Sequence, residues 1–268
     1  SVQEVGNIYP KYYLKAFYDG MTAEGDTMPI SLIRSAWAGS AKYGALVWSG
    51  DIVSTFECFR RQVQAGLNMA VAGIPWWTTD IGGFHGARTD DPDFHRLYIR
   101  WFEYGCFCPV MRLHGNRNPQ EGYGAEQIGS GSDNEIWSFG DEAYEISKKY
   151  IFLRERLRDY IRAQMKKAHE DGTPVMRPVF YDFPADQESW NVEDAYLFGP
   201  DLYVAPVMED HVTEREVYLP DGTAWFNAWT GEKYEGGQNV TVAAPLDTIP
   251  VFVKEGADAE KLLNIFSE

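Results

Sequence analysis

The chain is poor in cysteine, histidine and positive charge, and each shortage excludes something. Its three cysteines, Cys58, Cys106 and Cys108, are an odd number. An odd count argues against a disulfide framework and points to a cytoplasmic or periplasmic bacterial protein rather than a disulfide-rich secreted one. Cys106 and Cys108 are too close in sequence for a usual zinc clip, and no second Cys/His pair accompanies them; they read as small buried apolar side chains. Lys and Arg number 24 against 40 Asp and Glu, a net charge of -16. Such a surface repels nucleic acid and anionic membranes and suits a neutral ligand. No apolar run is long enough to predict a transmembrane helix. G-x-S-x-G, P-loop and dinucleotide fingerprints are missing too, so no cofactor is expected. The opening "SVQEVGNIYP" is no signal peptide and starts without Met, cap or strand; the chain is expected to begin inside a longer polypeptide.

What is present is apolar mass, at 44% hydrophobic and 15% aromatic residues, and an alternation of elements. "YYLKAFYDGM" has helical spacing at Tyr12, Leu14 and Phe17 and closes near Gly25. "PISLIRSAWAG" reads as a strand breaking at Arg34, and "ALVWSGD" as the next. "STFECFRRQVQAGL" is a helix with Ser54 or Thr55 as N-cap. "NMAVAGIPWWTTDIGG" reads as a third strand ending at Asp80, "DPDFHRLYIRWFEYGCF" as a helix, and "PVMRLHG" as a fourth strand ending at His114. A Gly-rich loop precedes one long helix from about Ser138 to Asp171, closed by Gly172. The strands are continuous apolar runs, the signature of parallel sheets covered on both faces. After residue 173 short β-rich runs follow, separated by turns such as Pro220-Asp221-Gly222. The predicted organisation is α/β over 1–172, an all-β unit over 173–257, and a tail or new segment over 258–268.

Arg34, Asp51, Asp80 and His114 each stand at a predicted strand's C-terminal tip, the edge where parallel α/β folds bind ligands. A carboxyl against an aromatic wall such as Trp48 keeps its proton to higher pH and can give it to a leaving oxygen. Asp51 can equally be the N-cap of the next helix. Trp76, Trp77 and Phe84 crowd Asp80; aromatic walls with a charged acceptor suit a sugar, and a core Trp pair with an Asp cap is the plain alternative. Arg34 at a rim clamps a carboxylate or donates to hydroxyls. His85, His95, Asp80 and His114 match no metal-ligand spacing, so no metal is expected.

"RSAWAGSAKYGALVWSGD", "GIPWWTTDIGGF" and "CPVMRLHG", followed by "WSFGDEAYEISKKYIFLRERLRDYI", "YLFGPDLYVAPV" and "IPVFVKEGA", together resemble glycoside hydrolase family 31, the α-glucosidase and α-xylosidase family, in order along nearly the whole chain. The resemblance implies the second half of a (β/α)8 TIM barrel, strands five to eight, plus a C-terminal antiparallel β-sandwich. It implies a retaining, exo-acting hydrolase of α-linked sugars at the non-reducing ends of oligosaccharides. Asp51 falls on the general acid/base position, and Arg34, Trp48, Trp77, Asp80, Phe84 and His114 on sugar-contacting ones. The family's nucleophile, in a W-x-D-x-N-E-like motif, has no counterpart before Arg34; Asp19 and Asp26 lie in or after a helical stretch. Retention needs two carboxylates roughly 5 Å apart, so the implied partner is the N-terminal half of the same enzyme, on the same or a separate polypeptide. A carbohydrate-binding or regulatory fragment without a nucleophile is the alternative, and a metal-dependent barrel hydrolase using Asp80 and His114 the third.

Overall fold

A computed structural model describes residues 1–122, 129–256 and 258–267. Part of the Gly-rich loop, residues 123–128, lies outside the described residues, as do 257 and 268 at the limits of the expected segments. The chain starts with helices α1 (Val2–Val5) and α2 (Tyr9–Ala23). Strands β1 (Ser31–Ile33), β2 (Ala45–Trp48) and β3 (Trp77–Thr78) then form a parallel sheet in the order β1-β2-β3. Helix α3 (Phe56–Val71) connects β2 to β3, and α4 (Pro92–Cys106) follows β3. The Thr55 hydroxyl accepts from the Cys58 amide at 3.1 Å, the expected N-cap.

Four details differ from the sequence expectation. The third strand is confined to Trp77–Thr78, because the helical periodicity of α3 runs on through Val71. The expected fourth strand at 109–114 forms no ladder among the described residues; it meets β3 through Val110 N–H to Trp77 O at 3.2 Å and the chain just past β3 through Ile81 N–H to Arg112 O at 3.3 Å. The Gly-rich loop contains a hairpin of β4 (Arg117–Gly122) and β5 (Gly129–Ser132). The long helix is two, α5 (Gly140–Arg156) and α6 (Arg158–Asp171), broken at the buried Leu157, whose ψ of -1° leaves the helical range. Gly172 closes α6 in the left-handed conformation at φ 78°, its amide bonded to Ala168 O.

The remaining strands are β6 (Met176–Arg177), β7 (Tyr196–Phe198), β8 (Leu202–Val204), β9 (Glu214–Leu219), β10 (Ala224–Asn227), β11 (Lys233–Glu235), β12 (Gln238–Ala243) and β13 (Val251–Lys254), with α7 (Val179–Asp182) among them and α8 (Ala259–Ser267) at the end. Six form an antiparallel sheet, ordered β11-β10-β13-β8-β7-β6, and the ribbon β9–β12 packs against it. The two-residue strand period sorts this sheet's side chains. Leu197, Tyr203 and Phe252 face the ribbon with Val217, Leu219, Trp225 and Val242. Tyr196, Phe198, Leu202, Val204, Val251 and Val253 join the core of the first half. There Phe59 stacks on Trp101 at 4.9 Å, and both are fully buried. Helix α8 folds back onto this core: Phe266 stacks on Phe107 at 6.3 Å and meets Trp229 edge-on at 5.1 Å.

Helix α2 presents Tyr9, Tyr12, Tyr13 and Phe17 to solvent and buries only Leu14, so the expected Tyr12–Leu14–Phe17 face is mostly uncovered. Beside it, among the described residues, β1 pairs only with β2.

The two halves are fastened by Arg100 of α4, which is 3% exposed. Its guanidinium donates to the main-chain oxygens of Ala244 (2.7 Å), Pro245 (3.0 Å), Val212 (3.1 Å) and Thr248 (3.2 Å), and to Glu103 Oε2 (3.2 Å). Burial pushes the Glu103 carboxyl up to about 8. Arg100→Met strips several buried acceptors of their donor at once. It should lower the unfolding free energy by about 3–5 kcal/mol, the range for breaking a buried pair, in urea denaturation followed by tryptophan fluorescence. A loss under about 1 kcal/mol, typical of an exposed pair, would contradict this role.

Candidate active site

The three parallel strands deliver their tips to one side. Arg34 directly follows β1, Trp48 ends β2 with Asp51 just beyond, and Asp80 stands just beyond β3. Gly50 adopts φ 76°, a left-handed turn that a side chain would resist, and this turn throws Asp51 off the end of β2. The Asp51 carboxylate is exposed and accepts from Arg34 Nη2 at 2.9 Å. The Arg34 guanidinium lies 5.3 Å from the centre of the Trp48 ring. Ser49 and Thr79 join the tips of β2 and β3 through their hydroxyls at 3.2 Å.

Asp80 is wholly buried, and one of its oxygens, Oδ2, has no hydrogen-bond partner among the described residues. Oδ1 accepts a short hydrogen bond from Arg112 Nη1. Burial raises the Asp80 carboxyl above the ordinary carboxylate range; Arg112 and His114 oppose that shift and the charge of Asp51 adds to it. Asp51 and His114 therefore share the electrostatic field of Asp80. Phe84 and His114 pack ring against ring at 5.3 Å, and Phe84 meets His85 at 4.4 Å.

Six of the seven residues singled out in the sequence, Arg34, Trp48, Asp51, Asp80, Phe84 and His114, thus gather at the tips. Trp77 does not. Its side chain is 3% exposed and points into the core, where it fills the space above Gly66 and near Met176. Arg112 was not anticipated. It lies two residues before His114, and that spacing was the available signal, since in an expected strand it puts both residues on one face. Among the described residues no group of three or more His, Cys, Asp and Glu could hold a metal ion.

A cluster of carboxylates, arginines and aromatic rings at the tips of a parallel sheet, followed by an antiparallel β unit, is the arrangement of a barrel glycoside hydrolase. The sequence signature of the "glycosyl hydrolases family 31 TIM-barrel domain" matches residues 1–164, and that of the "glycosyl hydrolase family 31 C-terminal domain" matches 172–257. The chain belongs to glycosyl hydrolase family 31. It is 38% identical over 251 residues to an alpha-xylosidase of Saccharolobus solfataricus, covering 94% of this chain and 32% of that protein. It is 36% identical over 277 residues to alpha-xylosidase A of Aspergillus niger, covering 92% and 37%. A crystal structure of a family 31 alpha-xylosidase from a soil metagenome, complexed with xylose, superimposes with a TM-score of 0.95 at 54% identity, over 98% of this chain and 40% of that one. The chain thus spans about a third of the length of these curated relatives.

A carboxyl raised by burial opposes folding once it ionises. The native state holds the Asp80 proton more tightly than the unfolded chain, so its contribution is fully present below the unfolded value of 3.8 and is lost as pH rises through the native one. Asp80→Asn removes that loss. Its stability relative to the parent should rise from pH 4 to pH 8 in urea titrations across that range. A relative stability that is flat, or that falls with pH, would show that Arg112 outweighs burial.

Proposed function

We propose that this chain supplies the acid/base half of the active site of a retaining α-glycoside hydrolase that removes xylose or glucose from the non-reducing ends of oligosaccharides. The observation that supports it most is the pairing of an exposed carboxylate, Asp51, with a buried one, Asp80, at adjacent tips of a parallel sheet. In this reading residues 1–172 are the barrel half, 173–257 the β-sandwich and 258–268 a segment that returns to it. The remaining strands and the nucleophilic carboxylate come from the N-terminal half of the enzyme. The open side of β1 and the exposed aromatic face of α2 are where that half would pack.

Asp51 leaves Arg34, carries the proton it took from water in the preceding turnover, and gives it to the glycosidic oxygen as the bond to the anomeric carbon breaks. The nucleophile takes the anomeric carbon from the opposite face. Asp51 then removes a proton from the water that releases the sugar. Asp80 Oδ2, buried without a partner among the described residues, accepts from a sugar hydroxyl, which offsets the cost of its burial. Arg112 holds the other oxygen so that only one orientation is available. Arg34, freed from Asp51, and His114 donate to further hydroxyls, while Trp48 and Phe84 cover apolar ring faces. The likeness to alpha-xylosidases, foremost the soil-metagenome structure at 54% identity, supports xylose as the sugar removed.

In the complete enzyme, Asp51→Ala should abolish turnover of substrates with poor leaving groups and spare the first step with activated aryl α-glycosides. Azide needs no general base and should restore turnover, giving an α-glycosyl azide by attack on the β-linked covalent intermediate. Equal loss on every substrate, without azide rescue, would remove Asp51 from the acid/base role.

A further inference from the structure

Arg117 opens the hairpin strand β4, yet its side chain is completely buried. Its Nη1 donates to Gly83 O at 2.9 Å and to Ser54 Oγ at 3.2 Å. Nη2 donates to Ile81 O at 3.2 Å, and Nε to Asn134 Oδ1 at 2.7 Å. The guanidinium covers the Phe94 ring at 4.6 Å. Two of these acceptors, Ile81 and Gly83, lie in the loop between Asp80 and Phe84. A third, Ser54, stands just past Asp51. None of these bonds is to a carboxylate, and burial pushes the guanidinium down to about 10.

The loops that Arg117 joins are already interlocked. Phe84 and His85 both donate their amides to Ile52 O, at 2.7 and 2.9 Å, and Ser54 N–H donates to His85 O at 2.8 Å. Asn116 N–H donates to Phe84 O at 2.8 Å, which ties the segment carrying His114 into the same lattice. Gly83, at φ 79°, approaches so closely that an added Cβ would stand 2.7 Å from Ser54 Cα. The loops after β2 and β3 are therefore in main-chain contact, and Arg117 is bonded to both. Only a planar fork with several N–H groups reaches acceptors in these different directions; a lysine ammonium on its flexible stem does not. A buried charge hydrogen-bonded to these neutral acceptors is also a costly way to fill space, since an apolar side chain of the same volume would do so more cheaply.

We propose that Arg117 is a positioning residue: it sets the loop between Asp80 and Phe84 against the loop after Asp51, and so fixes the geometry of the candidate active site. This rests on the function proposed above, and it can be tested apart from it. In the complete enzyme, Arg117→Lys keeps the charge and loses the fork. It should lower kcat/KM for an aryl α-xyloside on the order of 100-fold, the cost of a misplacement near 1 Å, with most of the loss in kcat. Asn134→Ala leaves Arg117 in place, removes one anchor and should lower kcat about 10-fold. If Arg117→Lys fails to fold, this second variant carries the test. In the 268-residue chain, amide hydrogen exchange at Phe84 and His85 should quicken at least 10-fold in Arg117→Lys, while amides of α3 and α4 keep the parent's protection. Parent-like kcat/KM and parent-like exchange at Phe84 and His85 would overturn the assignment. Faster exchange of all amides alike, with kcat unchanged, would overturn it as well, since that is a purely structural role. A complete parent enzyme that cleaves no α-glycoside would overturn the proposed function; the exchange at Phe84 and His85 would then decide the role of Arg117 by itself.

Discussion

Ile33, Val47 and Trp77 lie abreast in three strands that run the same way, and this shared direction is the constraint on which the candidate site depends. Parallel strands end on one side, so whatever follows each must meet its neighbours there. That is how residues as far apart in sequence as Arg34, Asp51 and Asp80 come to share one electric field. The same constraint also leaves the tips dependent on loops, since the strands themselves are short.

A chain with so large an excess of acid might be expected to bury its cations beside carboxylates. Two buried arginines, Arg100 and Arg117, and the half-buried Arg154 instead work mainly on main-chain oxygens, whereas the buried Arg177 pairs with Asp182. Arg100 joins α4 to the segments flanking β9, β12 and β13. Arg117 gathers the site loops. Arg154 of α5 donates to Cys106 O at 2.6 Å, Cys108 O at 2.9 Å and Pro109 O at 3.0 Å, where α4 ends and its carbonyls lack helical partners. A cation at a helix C-terminus also opposes the negative end of the helix dipole. The buried cysteine thiols beside it are pushed up to about 12 by burial, so they take no part in balancing that charge.

Much of this was legible in the sequence where the cause is local. Thr55 as a cap, Gly172 as a helix stop and the tip positions of Arg34, Asp51 and Asp80 follow from short-range rules about caps, glycines and apolar runs. The break at Leu157 was not legible, because no Gly or Pro marks it; a leucine leaves helical geometry there while packed in the core. The Trp76–Trp77 pair shows the other limit. Alternation along extended chain sends neighbouring side chains to opposite sides, but nothing local says which ring is covered more fully; Trp77 is buried, and Trp76 packs against the same core only half-buried. The link between Asp80 and Arg112 was hidden for a similar reason. Its partners are separated by all of α4, and the segment that carries Arg112 forms no ladder among the described residues to announce its register.

The return of α8 to the first half has a consequence for biosynthesis. Phe266 fills the gap between Phe107 and Trp229, and Ile265 O accepts from Arg156 Nε at 2.9 Å. A ribosome releases residues in order, so the barrel strands and α4 are out long before their last packing partner exists. At about 5–20 residues per second, the interval between Phe107 and Phe266 lasts on the order of ten seconds or more. During that time the Phe107 side of the core stays uncovered, a window in which the nascent chain presents apolar surface to chaperones and to other unfolded chains.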